Sequence, residues 1–238
     1  RSKSMGKIII LGANGAVGKS CASNLTDKEL VLISRSEFDK DTSIPAKAEK
    51  LILNINDYKK TNNYLNLIDY EISGIIFALG SISLKPFSNT SVDDFKKLME
   101  DNFYNIVNFL NFSIDKMSND SSVIFFSTIA ALRGFKNHTA ISSAKSAIIG
   151  LSKSLAADYA PKIRFNTISP SLSYSKMANF ITNNEKVAEG LGKLHPMSRL
   201  GRGEDLANLA TFLISDKSTW ITGQNFQVDG GRSTLITK

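Results

Sequence analysis

The sequence predicts a doubly wound, mostly parallel α/β sheet, and three observations predict it. Short continuous apolar runs recur along the chain (KIIIL, LVLI, GIIFAL, VIFFS), as strands buried on both faces require. Stretches of helical spacing separate them. A glycine-rich turn follows directly on the first run. Repeated β-α units of this kind close into a parallel sheet with helices on both faces.

Composition bounds the function classes. The 238 residues are 42% hydrophobic, enough for one large globular domain with a real core. Residues 5–238 are read as that domain; Arg1 to Ser4, ahead of Met5, are set aside as a cloning remnant. No apolar run approaches the roughly 18 residues of a membrane-spanning helix. The start, RSKSMGKIIILG, runs straight into a strand and shows no signal peptide. One cysteine, Cys21, excludes an internal disulfide and points to a reducing cytoplasm. Its place just inside the first helix reads as a small buried apolar residue. The net charge is +7, but the lysines are scattered, with no basic stripe interleaved with aromatics. That speaks for a solvated surface and against nucleic acid.

Taken in order, residues 7–11 form the first strand and 17–25 the first helix. Residues 30–33 and 50–53 are the second and third strands. Residues 58–68 read as a helix with Tyr58, Leu65 and Ile68 apolar. Residues 74–79 make the fourth strand. A long helix covers 92–112, with Asp93 and Asp94 at its start, where the helix dipole favours acids. Residues 123–127 are the fifth strand, and 139–159 the helix after it, closed by Pro161. Residues 163–168 are the sixth strand, ended by Ser169-Pro170. Residues 173–189 read as helical and mobile, and 204–215 as an amphipathic helix. Residues 225–228 supply a last strand before Asp229-Gly230-Gly231.

The turn Gly12-Ala13-Asn14-Gly15-Ala16-Val17-Gly18 lies between the first strand and the first helix. Glycine permits the tight turn and lets backbone N–H groups approach a pyrophosphate on the helix N-terminus. The rival reading is a glycine turn needed only for packing. The second strand ends in Ser34-Arg35-Ser36, with no acid to hold a ribose hydroxyl. Arg35 can instead pair with the 2′-phosphate of NADP(H), with the serines donating beside it. NADP(H) is therefore expected over NAD(H); a solvated arginine is the alternative. Asn54, past the third strand, is placed to meet the adenine edge.

Here the chain resembles the short-chain dehydrogenase/reductase family, over essentially all of residues 7–235. The resemblance rests on the glycine loop, on LRGFKNHTAISSAKSAIIGLSKSLAADYAPKIRFNTISPSL, on MSRLGRGEDLANLATFLISD and on WITGQNFQVDGGRSTL. It implies a Rossmann-type sheet of about seven strands, a nicotinamide cofactor and a small-molecule substrate. It also implies a homotetramer or homodimer packed through the long helices after the fourth and fifth strands. The family's catalytic asparagine, serine and lysine match Asn102, Thr128 and Lys145. Its tyrosine lies four residues before the lysine and thirteen after the serine position, and both counts give Ile141.

By that resemblance the serine hydroxyl holds the substrate oxygen, the asparagine holds a water, and the lysine binds the nicotinamide ribose. The tyrosine gives the proton. Positions 141 and 145 share a helix face, so Ile141 is expected to point at the nicotinamide, where an alkyl group cannot donate. Thr128 keeps a hydroxyl; a packed threonine at a strand end is the rival reading. The family's Asn-Asn-Ala-Gly reads Phe77-Ala78-Leu79-Gly80, with Ala78 and Gly80 still placed at the cofactor. Its Pro-Gly reads Pro170-Ser171, and Ser175 falls where a threonine often holds the carboxamide. Ser142, His138, His195 and Tyr174 are weaker stand-ins for the tyrosine. Two function classes follow: an NADP(H)-dependent oxidoreductase with weakened proton transfer, and a cofactor-binding subunit or interaction protein without turnover. A reaction that takes its proton from elsewhere, such as a dehydration or an enoyl reduction, is a third.

Overall fold

A computed structural model describes residues 6–39 and 44–237. Residues 1–4, set aside above, and residues 5, 40–43 and 238 of the expected domain lie outside these. Seven strands form one sheet: β1 (Lys7–Leu11), β2 (Leu30–Ser34), β3 (Glu49–Ile52), β4 (Ile72–Phe77), β5 (Met117–Phe126), β6 (Ile163–Pro170) and β7 (Asn225–Val228). Their order is β3-β2-β1-β4-β5-β6-β7, and every neighbouring pair is parallel. The doubly wound class is therefore as expected.

The period of two along each strand sends alternate side chains to two cores. Ile9 and Leu11 of β1 join Phe77, Phe125 and Phe165 on one face. There they meet α2 (Tyr58–Leu67), α4 (Asn105–Ser113) and α5 (Thr139–Tyr159) through Leu65, Phe109 and Ile148. Ile8 and Ile10 point the other way, onto α1 (Ala16–Asn24) and α8 (Gly203–Ile214), with Cys21, Ala207 and Leu213 among their neighbours. Phe125 stacks on Phe77 and on Phe165, with ring centroids 5.5 and 6.3 Å apart.

Four expectations need correcting. The helix expected over 92–112 is broken: α3 (Val92–Met99) and α4 are joined by a π-helical turn, Glu100–Tyr104. Residues 173–189 are not one helix. A 3₁₀ turn (Lys176–Ala178), α6 (Asn179–Thr182) and α7 (Glu185–Gly192) follow in series, because the Asn184 side chain accepts from the Val187 N–H and restarts the chain there. β5 begins at Met117, six residues before the expected start, since its first half, SNDSS, pairs into the sheet without an apolar run to mark it. β4 in turn stops at Phe77, leaving Ala78 and Leu79 in the following loop. Most other ends shift by one or two residues.

Candidate functional site

At the exit of β1, Gly12 has φ +75°, and a Cβ there would lie 2.1 Å from the Ala78 carbonyl oxygen. A Cβ on Gly18 would lie 2.4 Å from the Gly12 oxygen. These two glycines let the turn press against the exit of β4, where the Ala78 N–H donates to the Leu11 carbonyl at 2.9 Å. Gly15 precedes α1 in extended conformation, and no side chain caps that helix. The N–H groups of Ala16, Val17 and Gly18 thus open α1 without a side-chain acceptor, a donor set that suits phosphate oxygens.

Asn14 ties this loop to the segment after β2. Its Nδ2 donates to the Glu37 carbonyl at 3.0 Å, and its Oδ1 accepts from the Asp39 N–H at 3.2 Å. Ser34 is buried at the end of β2, where its Oγ accepts from the Ser36 N–H at 3.3 Å. Arg35 and Ser36 beyond it are exposed. Asp39 accepts from Lys19 and from Lys176, each at 2.9 Å. These two cations hold its carboxyl down at about 2. Asn54 is exposed, and its side chain accepts from the Asn56 N–H at 3.2 Å, closing a turn on its own strand end.

Past the exit of β4, Gly80 has φ +149°. A Cβ there would fall 2.4 Å from Asn102 Oδ1 and 3.2 Å from Lys145 Nζ. Having no side chain, this glycine leaves room for both polar ends to come up against the backbone there. Asn102 sits in the π turn, fully buried, and its Nδ2 donates to the carbonyls of Leu98 (2.9 Å) and Ser81 (3.1 Å). Its Oδ1 accepts from the Ser81 N–H at 3.3 Å. Lys145 is buried on α5 and donates to the Phe126 carbonyl at 2.9 Å; burial pulls its ammonium down to about 8. Ser127 Oγ donates to the Lys145 carbonyl at 2.8 Å and fastens α5 to the end of β5.

The remaining expected residues divide. Thr128 Oγ1 accepts from the Ala130 N–H at 3.2 Å and so caps the turn Ile129–Ala131, the packed role. Ile141 is only 3% exposed and packs with Leu98, Ala140, Ile82, Leu84 and Phe95. The expected open face at 141 is thus a small apolar core, because an alkyl side chain gains from being covered. Pro170 ends β6, and Ser175 Oγ accepts from the Ala178 N–H at 3.1 Å, starting the turn that carries Lys176. None of the stand-ins joins the Ile141 cluster. Ser142 Oγ donates to the Ala130 carbonyl, facing away from it. His138 Nδ1 lies 2.7 Å from the Lys136 carbonyl beside Phe135, and Tyr174 is exposed. His195 is buried against Ser171.

Sequence reasoning missed Ser81, whose backbone holds both ends of the Asn102 amide. The signal was its place directly after Gly80. It also missed the contact of Asp39 with two lysines 20 and 137 residues away, which no local pattern carries. Among the described residues no helix is long and apolar enough to cross a membrane, and no group of three His, Cys, Asp or Glu could hold a metal ion.

A family model described as enoyl-(acyl carrier protein) reductase matches residues 12–233. Short-chain dehydrogenase/reductase SDRA of Arabidopsis thaliana is 35% identical over 162 residues, a match spanning 67% of this chain and 63% of that protein. The 3-oxoacyl-acyl-carrier-protein reductase FabG of Chlamydia muridarum is 30% identical over 227 residues, 93% of this chain and 85% of that one. The ligand-free aldohexose dehydrogenase of Thermoplasma acidophilum has a TM-score of 0.88 at 26% identity, covering 98% of this chain and 96% of its own. ElxO with NADP bound shares the fold at the same TM-score of 0.88 and 24% identity, covering 98% of this chain and 100% of its own.

Proposed function

Because the chain belongs to the short-chain dehydrogenase/reductase family, we propose that it binds NADP(H) and acts as an oxidoreductase on a small carbonyl or alcohol substrate, with a weakened proton step. The observation that carries this reading is the approach of both Asn102 Oδ1 and Lys145 Nζ to the same point beside Gly80, with Lys145 one helical turn from Ile141. The bound nicotinamide would supply or accept the hydride.

In this reading the chain's own residues bind and orient. The opening N–H groups of α1 take the pyrophosphate, with Gly12, Gly15 and Gly18 allowing the approach. Arg35, exposed between Ser34 and Ser36, takes the 2′-phosphate. Lys145 takes the nicotinamide ribose; Ala78, Gly80, Pro170 and Ser175 border the ring. ElxO, which holds NADP in the same fold, supports the choice of cofactor. Asn102 keeps a water near the substrate oxygen, and that water or Lys145 gives the proton that Ile141 cannot. Losing the phenol is expected to slow turnover about 10²–10⁴-fold.

A second reading, a cofactor-binding subunit without turnover, is favoured by the burial of Ile141 beneath Ile82, Leu84 and Phe95. One experiment separates the two. Ile141→Tyr is compared with the wild type in NADPH binding, followed by fluorescence, and in NADPH oxidation with simple ketones. A gain of about 10² or more supports the weakened enzyme. Unchanged binding with no turnover in either protein would rule for the second reading. The assembly we favour is a homodimer or homotetramer through α4 and α5. The cytoplasm is the favoured compartment, in keeping with the lone buried Cys21, whose thiol burial pushes up to about 12.

A further inference from the structure

A second reactive constellation begins one residue beyond Pro170 and uses side chains to which the reading above gives no role. Ser171 follows β6 directly, and its Oγ lies 2.8 Å from His195 Nε2. His195 follows α7 and is only 5% exposed; its Nδ1 lies 3.0 Å from the Leu191 carbonyl oxygen. A carbonyl can only accept, so in the neutral ring Nδ1 carries the proton and Nε2 the lone pair. In that form the Ser171 hydroxyl donates to Nε2. A hydroxyl on an unprotonated imidazole nitrogen, with the other nitrogen held by a third group, is the arrangement that activates a serine nucleophile. Both side chains line a cavity of about 100 Å³ shared with Ser173, Met197, Arg199 and Gly230. That space admits a short acyl group.

From this geometry we infer that Ser171 is a nucleophile for small activated esters, with His195 as its general base. Ser171 Oγ attacks the ester carbonyl carbon while His195 Nε2 takes the hydroxyl proton. The bond from that carbon to the leaving oxygen then breaks, and the alcohol departs with the proton returned by the imidazolium. An O-acyl serine remains. Arg199 stands on the cavity wall, but Asp205 holds its Nη1 and Nη2 at 2.7 and 2.8 Å. Acylation and release therefore both proceed without an unpaired cation there; an activated leaving group speeds only the first, so the O-acyl serine is expected to accumulate.

The probe is p-nitrophenyl acetate, added to the full chain without cofactor. The expected result is a stoichiometric burst of p-nitrophenol and one acetyl group mapped to Ser171 by peptide mass. Ser171→Ala abolishes that label, and His195→Gln slows the burst about 10²-fold or more. Acetylation confined to lysines, Lys145 included, or an undiminished burst in Ser171→Ala, overturns the inference. Should either variant fold poorly, Ser171→Cys offers a second route. Its alkylation by iodoacetamide is expected to outpace that of buried Cys21 and to slow when His195→Gln is added. Equal rates with and without His195 would count against the pair.

Discussion

Lys145 keeps its amine in a buried place, with the Phe126 carbonyl as hydrogen-bond acceptor. Its pKa falls to about 8 from the ordinary 10.5, so between those values the unfolded chain holds a proton that the folded chain has shed. Stability from this group therefore rises as pH climbs from about 8 toward 10.5, and below about 8 the folded state carries a charge costing on the order of a few kcal/mol. Lys145→Met is expected to melt several degrees above the wild type at neutral pH. That gain should fade near the alkaline end of the window. A thermal melt at both pH values checks it, and a variant no more stable at neutral pH would contradict it. The same substitution should weaken NADPH binding, since it removes the proposed ribose contact. Arg35→Asp belongs to the same scale: about ten-fold or more loss of preference for NADPH over NADH, read from paired titrations, is the expected outcome.

The elements show where a sequence speaks and where it is silent. β1, β7 and α5 have the bounds their apolar patterns predict. The π turn at Glu100–Tyr104 does not announce itself, because one extra residue per turn barely disturbs a 3.6 period over five residues. Yet that turn carries Asn102, one of the two side chains that come up against Gly80. The family resemblance, counted along the chain, pointed to Ile141 and Lys145, whereas the apolar cover over Ile141 comes from Ile82 and Leu84, some 60 residues earlier, which no local pattern connects to it. Arg164 is a second silent feature. On a central strand it is 7% exposed, and its guanidinium donates to the carbonyls of Leu213, Ser215 and Ser218, tying off the end of α8. Arg164→Met strands buried acceptors and should cost about 1–3 kcal/mol. The measurement is a lower denaturant midpoint with an unchanged slope.

At the scale of the whole molecule, helices cover both faces of the parallel sheet, which leaves helix surfaces and the edge strands β3 and β7 for self-association. Gly150 lies exposed in mid-α5, and a Cβ there would meet nothing within 4 Å. Glycine in a helix interior costs about 0.5–1 kcal/mol against alanine, and within one chain nothing repays it. A second helix pressed close would. Gly150→Arg is expected to lower the mass seen by light scattering, whereas an unaltered mass would place the contact elsewhere. Asp39 has a consequence on the same scale. It joins Lys19 of α1 to Lys176 of the stretch after β6, and between β2 and β6 stand β1, β4 and β5. The bridge thus spans the strand ends, and a cofactor lying along them as proposed would be held beneath it. Exposed ion pairs are weak and yield to salt, so NADPH dissociation in stopped flow is expected to quicken up to about five-fold at high ionic strength. Asp39→Asn should depart nearly as fast in dilute buffer, which makes the rate of exchange, rather than the depth of binding, the quantity this carboxylate sets.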